Sequence, residues 1–362
     1  MTDIGANIRP LTIGNIKINP PIIQGGMGVR VSRARLASAV ANEGCAGVIA
    51  TAGAGMFEDH PGNEFTSVNE IALQNEIRTA RSLSKGIIGV NIMVALSDYD
   101  SLVKTAVAEK VDLIISGAGL PFHLPSLAAG TETKLIPIVS SVRTYNIICK
   151  RWEKQYNRLP DAVIIEGTKA GGHLGYSIEQ IEKDEPNLEQ ILADVLAYQS
   201  EKGLTIPVIV AGGIFDGGQM RYFLERGASG VQMATRFVCT HECDVHPAFK
   251  QAYLDATEED ITLIKSPVGL PGRVIRNAFV ESIQKGLRVP FDCNYQCLKT
   301  CDPDTAPYCI ARVLADAAEG KLEQAFAFAG ANVCRCNEIV SVKELIENIV
   351  REYAASHTAA GH

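Results

Sequence analysis

From residue 20 to about residue 255 the chain alternates between two hydrophobic rhythms. Short, unbroken apolar runs give way to longer stretches whose apolar residues recur at helical spacing. The runs Pro21 to Gln24, Ala46 to Ala50, Ile87 to Met93, Asp112 to Ser116, Leu135 to Ser140, Ala162 to Ile165, Pro207 to Ala211 and Gly230 to Met233 read as strands. They lack polar alternation, which suits strands covered on both faces. Between them the spacing predicts helices over Arg33 to Asn42, Val68 to Leu83, Tyr99 to Glu109, a short turn near Leu124 to Ala129, Thr144 to Tyr156, a stretch ending near Glu201, Gly217 to Arg226, and Pro247 to Ala256. Ser32 and Asn187 stand where helix caps belong, and Gly44 stands past a helix end.

Eight strand–helix units in succession imply parallel strands crossing over through helices, and so a closed (β/α)8 barrel. The competing architecture is an open doubly wound sheet. Its G-x-G-x-x-G turn after the first strand is not matched. Residues 1–261 are therefore read as the barrel and residues 262–340 as a smaller, mainly α-helical lid, with helices over Ala311 to Ala318 and Lys321 to Ala329. Residues 341–362 are read as a closing helix, Val342 to Tyr353 with Ser341 as its cap, and a frayed tail.

Composition narrows the class. Of 362 residues 46% are hydrophobic and 21% charged, so a large core is affordable and wholesale disorder is excluded. A formal net charge of -7 argues against a broad nucleic-acid surface. The opening Met-Thr-Asp-Ile-Gly-Ala-Asn has no basic stretch and apolar core, and no apolar run reaches membrane-spanning length. A cytoplasmic protein without nucleic-acid or membrane partners is expected.

In a barrel the chemistry gathers at the C-terminal ends of the strands. Those ends are rich in small and polar residues: Gln24-Gly25-Gly26, Asn91, Gly117, Ser140, Glu166, Gly171-Gly172-His173, Gly212-Gly213 and Thr235-Arg236. Glycines after the seventh and eighth strands are where barrels hold a phosphate through backbone N–H groups. Flavin mononucleotide fits, having one phosphate, a ribityl chain that needs polar partners, and a flat ring that needs close backbone approach. The competing reading is that the glycines only serve tight loops.

Taken in order, Gln24-Gly25-Gly26-Met27, Gly89-Val90-Asn91-Ile92-Met93, Glu166-Gly167 through Gly172-His173, Val210-Ala211-Gly212-Gly213-Ile214 and Met233-Ala234-Thr235-Arg236-Phe237 resemble the motifs of the nitronate monooxygenase (2-nitropropane dioxygenase) family, which includes flavin-dependent enoyl-ACP reductases of type II. The resemblance runs from residue 15 to about 285 and takes in Gly272 to Asn277. It implies an FMN site lined by Gly26, Met27, Asn91, Glu166, Gly171, Gly172, Gly213, Ala234 and Thr235, with His173 as the active-site histidine. Histidine suits proton transfer because its ordinary pKa lies near neutrality. The leading expectation is oxidation of alkyl nitronates with oxygen. The alternative is reduction of an enoyl-ACP or enoyl thioester by NAD(P)H or a ferredoxin-type donor. Either substrate is a small molecule, and a homodimer is the candidate assembly.

The other histidines read as bystanders. His60 and His123 fall in loops that can approach substrate, His241 and His246 flank Cys239 and Cys243 at a spacing that matches no standard metal site, and His357 and His362 belong to the tail. Ten cysteines without an export signal point to reduced thiols or metal ligation. Cys45, Cys149 and Cys239 read as small core residues. Cys293, Cys297, Cys301 and Cys309 form C-x3-C-x3-C-x7-C, a departure from the family pattern, with Cys334-Arg335-Cys336 following. Thiolate-only ligation suits a [4Fe–4S] cluster or structural zinc, although neither the ferredoxin nor the zinc-knuckle spacing is matched. The third reading is a set of reduced thiols packing the lid.

Overall fold

Parallel strands close on themselves in the computed structural model, which describes residues 8–56, 65–293 and 295–356. A short antiparallel hairpin, β1 (Leu11–Ile13) and β2 (Ile16–Ile18), precedes the barrel. The barrel strands follow as β3 (Ile22–Gln24), β4 (Ala46–Ala50), β5 (Ile87–Met93), β6 (Leu113–Gly117), β7 (Lys134–Val139) and β8 (Val163–Glu166). After a two-residue strand outside the barrel, β9 (Gly172–His173), come β10 (Val208–Ala211) and β11 (Gly230–Met233). β11 pairs back onto β3, which completes the eight-stranded ring.

Two cores result, as double-sided burial requires. Inside the barrel, Ile23, Val48, Ile115, Ile164 and Ile209 pack together, and Leu11, Ile13 and Ile18 of the hairpin join them. Outside, the alternate strand residues meet the apolar faces of the surrounding helices. These are α1 (Ala34–Asn42), α2 (Phe65–Leu83), α3 (Tyr99–Ala108), α4 (Leu124–Leu127), α5 (Val142–Tyr156), α6 (Ile178–Lys183), α7 (Leu188–Lys202), α8 (Gly217–Glu225), α9 (Thr235–Val238) and α10 (Pro247–Asp255).

Asn187 caps α7 as the sequence predicts, its side chain accepting from the Gln190 N–H. Ser32 does not cap α1. Arg33 holds the cap position without a side-chain bond, and the Glu76 carboxylate takes the Ala34 N–H at 2.7 Å. Ser32 is drawn away by buried Gln24, whose Nε2 donates to Ser32 Oγ at 2.9 Å, and by the Met27 N–H at 3.0 Å. A buried amide without partners would be more costly than an open helix end.

Beyond the barrel, β12 (Ile261–Lys265) and β13 (Pro271–Ile275) form an antiparallel hairpin, and β13 pairs with β9. Helices α11 (Ala278–Gln284), α12 (Ile310–Ala318) and α13 (Val342–Ala355) follow. The helix predicted over Lys321 to Ala329 is a single 3-10 turn, Leu322–Gln324, followed by extended chain. The alternation Ala325-Phe326-Ala327-Phe328 explains the difference. It buries Phe326 and lets residues 327–329 hydrogen-bond alongside β13, through Ile275 N–H to the Ala327 carbonyl and Ala329 N–H to the Arg273 carbonyl. Helix α13 packs on α8 so closely that a Cβ on Gly217 would stand 2.0 Å from the Ile349 carbonyl. Among the described residues no helix is long and apolar enough to cross a membrane.

Candidate active site

The C-terminal ends of the barrel strands open into one cavity of about 250 Å³. Gly26, Met27, Asn91, Glu166, Gly171, Gly172, His173, Gly213, Ala234 and Thr235 all line it. Their convergence follows from strand polarity, since each stands at or just past the end of a parallel strand.

Two features of the rim require glycine. A Cβ on Gly26 would lie 2.5 Å from the Cβ of Asn91, and one on Gly171 would lie 2.5 Å from both the Ala329 carbonyl carbon and the Gly330 nitrogen. Gln24, at the end of β3, faces away from ligand work. Its Oε1 accepts the Val48 N–H at 3.0 Å, so it pins the Gly25–Gly28 loop to β4.

His173 sits on β9, opposite Gly272 of β13. Its Nε2 lies 2.7 Å from Ser266 Oγ, and its ring meets Phe328 edge-on with centroids 4.9 Å apart. Burial pulls its pKa down to about 4, so the imidazole is neutral at neutral pH. Burial pushes the Glu166 carboxyl up to about 7. Tyr176 donates its hydroxyl to the backbone carbonyls of Glu166 at 2.5 Å and Ser140 at 3.0 Å, which steadies the end of β8. The buried Arg273 guanidinium donates to the Thr168 and Ala170 carbonyls at 2.7 and 2.5 Å and braces the loop that delivers Gly171.

Several lining residues escape a reading of strand ends alone. Phe328, Ala329, Gly330 and Asn332 come from a strap that crosses the rim beside β10 and β11. Gly330 donates its N–H to Thr235 Oγ1 at 3.0 Å, Ala331 donates to the Lys169 carbonyl at 3.1 Å, and Asn332 Nδ2 donates to the Gly213 carbonyl at 2.6 Å. The period-two pattern ending in Gly330 was the available signal. Gln232, which lines the cavity, and Ser266, which touches His173, also escape that reading, and among the described residues the buried Gln232 Oε1 has no hydrogen-bond partner.

The family model for nitronate monooxygenase matches residues 9–352. The chain belongs to the nitronate monooxygenase family. A probable nitronate monooxygenase of Bacillus subtilis is 26% identical over 92% of this chain and 96% of its own. A (3aS,4S,5R,7aS)-5-hydroxy-7a-methyl-1-oxo-octahydro-1H-indene-4-carboxyl-CoA dehydrogenase of Mycobacterium tuberculosis is 30% identical over 75% of this chain and 68% of its own. Among solved structures, FabK from Thermotoga maritima superposes with a TM-score of 0.73 at 29% identity, covering 94% of each chain. Membership in the family makes the protein an oxidoreductase acting on a small molecule.

The remaining candidates separate cleanly from this family site. His123 lies on the surface, 3.3 Å from the Tyr156 hydroxyl, and does not line the cavity. His246 accepts the Ala248 N–H and caps α10. His60, His357 and His362 fall outside the described residues. Cys45, Cys149 and Cys239 are buried core thiols. Among the described residues no three ligating side chains are arranged to share a single metal ion.

Proposed function

We propose that this oxidoreductase works with FMN and reduces an uncharged, activated double bond such as that of an enoyl thioester. The fit to FMN rests on the cavity itself. Glycines at its rim leave flat backbone where any side chain would collide, and the orphaned Gln232 Oε1 awaits a donor that a polar ligand supplies. Gly213, Ala234 and Thr235, after the last two barrel strands, would take the phosphate. Asn91, Glu166 and Gln232 would meet the polar middle of the ligand, and Gly26, Met27, Gly171 and Gly172 its flat ring. When bound, FMN supplies the hydride and electron chemistry.

The substrate class is carried by one observation. Among the described lining residues Lys169 is the sole cation, and its Nζ is engaged 2.8 Å from the Asp184 carboxylate. His173 is neutral and Glu166 is an acid, so an anion entering beside a phosphate-bearing ligand meets no free positive charge. A neutral thioester avoids that penalty. His173, held by Ser266 against Phe328, is a neutral imidazole placed to orient the thioester carbonyl by a hydrogen bond.

Oxidation of alkyl nitronates with oxygen is the second reading, favoured by the family match over residues 9–352. One experiment separates the two. The flavin-loaded protein is mixed anaerobically with NAD(P)H or dithionite and then with an enoyl thioester, and separately with a nitronate alone. Reoxidation by the thioester supports the proposal. Bleaching by the nitronate alone, with no response to the thioester, overturns it.

A further inference from the structure

Helix α12 is wedged between two apolar clusters. Ile310, Val313 and Ala317 belong to the main core, while Ala311 and Ala315, one turn apart, pack with Val29 and Met56 in a smaller cluster. Leu314, Tyr295 and Cys297, each half-buried, pack against that smaller cluster. It meets the active-site cavity at two residues, Val29 and Leu314, which line both.

The two residues differ in what holds them. Val29 is buried at 3% exposure and closed in from behind, since a Cβ on Gly53 would stand 2.8 Å from its Cγ1. Leu314 is the one α12 residue, among the described residues, that lines the cavity. Its neighbours on that side of the helix, Ala311 and Ala315, carry only a methyl group each. A methyl group has no rotamer with which to fill a vacated space. Leu314 therefore stands alone as a projecting side chain, and shortening it enlarges the cavity instead of letting the wall collapse.

The chemistry of this wall is hydrocarbon. Met27, Val29 and Leu314 line it without a charge or an N–H or O–H donor on any side chain. Arg30, which interrupts the run between Val29 and Val31, does not line the cavity, and its Nη1 donates to the Ala54 carbonyl at 3.2 Å. A polar group laid here would forfeit its hydrogen bonds to water, whereas a methylene gains by leaving water. His173, with Ser266 on its Nε2, gives the same cavity a polar station. One cavity thus suits a ligand with a single polar function and a hydrocarbon tail.

We propose that the substrate carries a hydrocarbon chain that lies along Val29, and that Leu314 sets the longest chain the cavity accepts. The inference deepens, and rests on, the reading that the cavity takes an enoyl thioester.

The test measures binding apart from turnover. Uncharged, saturated acyl N-acetylcysteamine thioesters of increasing chain length are titrated calorimetrically into the full chain as purified. Affinity is expected to tighten about fourfold per added methylene until the chain meets Leu314, and then to stop rising. Leu314→Ala should move that break to chains about two or three carbons longer, and Leu314→Phe should move it to shorter ones. Leu287→Ala, at a position 43% exposed and outside the cavity, should leave the break where it is. A break at the same length in the unaltered chain and both Leu314 variants would overturn the proposal. So would an affinity indifferent to chain length, or no binding of any thioester. Should a variant fail to fold, the unaltered chain still decides, because an affinity that rises without a break along the whole series excludes a limit at Leu314. Reoxidation of the reduced flavin by the matching enoyl thioesters is read separately. Length-limited binding without reoxidation would sink the enoyl reading and keep the role of Leu314, whereas reoxidation with an unmoved break would do the reverse.

Discussion

His173 Nε2 lies 2.7 Å from Ser266 Oγ, a contact between a strand after the barrel's sixth unit and the turn of a hairpin 93 residues later. Ser266 Oγ also accepts the Val268 N–H at 3.3 Å, so the hydroxyl has one fixed job in its own turn and one toward the histidine. Ser266→Ala should leave the imidazole free to rotate while the cavity keeps its glycines. Turnover is expected to fall about tenfold, or roughly 1.4 kcal/mol, with flavin content unchanged and Ser266→Thr restoring much of the rate. Equal turnover in the alanine variant would remove Ser266 from the site.

The two buried titrating groups oppose each other in their effect on stability. Glu166 holds its proton more tightly when folded, its pKa moving from an ordinary 4.5 up to about 7. Its contribution is fully present below about pH 4.5 and is lost as pH rises through about 7. His173 moves from 6.5 down to about 4, so its contribution is present above about pH 6.5 and is lost as pH falls toward 4. Each shift corresponds to on the order of 3 kcal/mol, and between about pH 4.5 and 6.5 the slopes largely cancel. Glu166→Gln should unmask the histidine. Flavin-free Glu166→Gln protein is expected to be about 1 kcal/mol less stable at about pH 5.5 than at about pH 8 by urea denaturation. An unchanged pH dependence would contradict the assignment.

Much of this site is legible from the sequence because strand ends are local objects. An unbroken run such as Ile87 to Met93 fixes where a side chain such as Asn91 must emerge, whatever the rest of the chain does. Ser266 and the Phe328–Asn332 strap are not local in that sense. Ser266 reaches His173, and the strap reaches the cavity, only because β13 pairs with β9 and residues 327–329 run beside β13, and no periodicity within either segment names its distant partner. The lost cap at Ser32 has the same origin, since the residue answers to buried Gln24 rather than to its own helix. Local propensity yields where a buried polar group elsewhere has the stronger claim.

Arg236 ties the C-terminal helix to the strand end that carries Thr235. Its guanidinium donates to Glu352 through Nη1 at 3.0 Å and Nη2 at 2.9 Å, and the same carboxylate accepts the Gly217 N–H at 2.9 Å. Glu352 is partly open to solvent while Arg236 is mostly covered, so the loss falls mainly on the arginine. Glu352→Ala should lower stability by about 1–2 kcal/mol and weaken flavin retention. Paired melting curves and flavin titrations check it, and a variant with unaltered flavin affinity would confine the pair to stability alone.

Gly171 offers the sharpest test of the strap. Its position demands an absent side chain, because a Cβ would stand 2.5 Å from the Ala329 carbonyl carbon and 2.9 Å from its oxygen, both backbone atoms that cannot rotate aside. Gly171→Ala must therefore push residues 329–330 outward. That displacement strains the bonds from Gly330 to Thr235 and from Ala331 to the Lys169 carbonyl, which hold the strap beside the proposed phosphate site. The barrel core lies elsewhere and should keep its fold, with far-UV circular dichroism unchanged. Flavin affinity is expected to fall by at least tenfold, about 1.4 kcal/mol. The contrasting variant is Gly203→Ala, at an α7 terminus where a Cβ meets nothing within 4 Å but φ is +65°. It should cost about 1 kcal/mol of stability and leave flavin binding alone. If Gly171→Ala instead bound flavin normally, the strap would have no part in holding the cofactor.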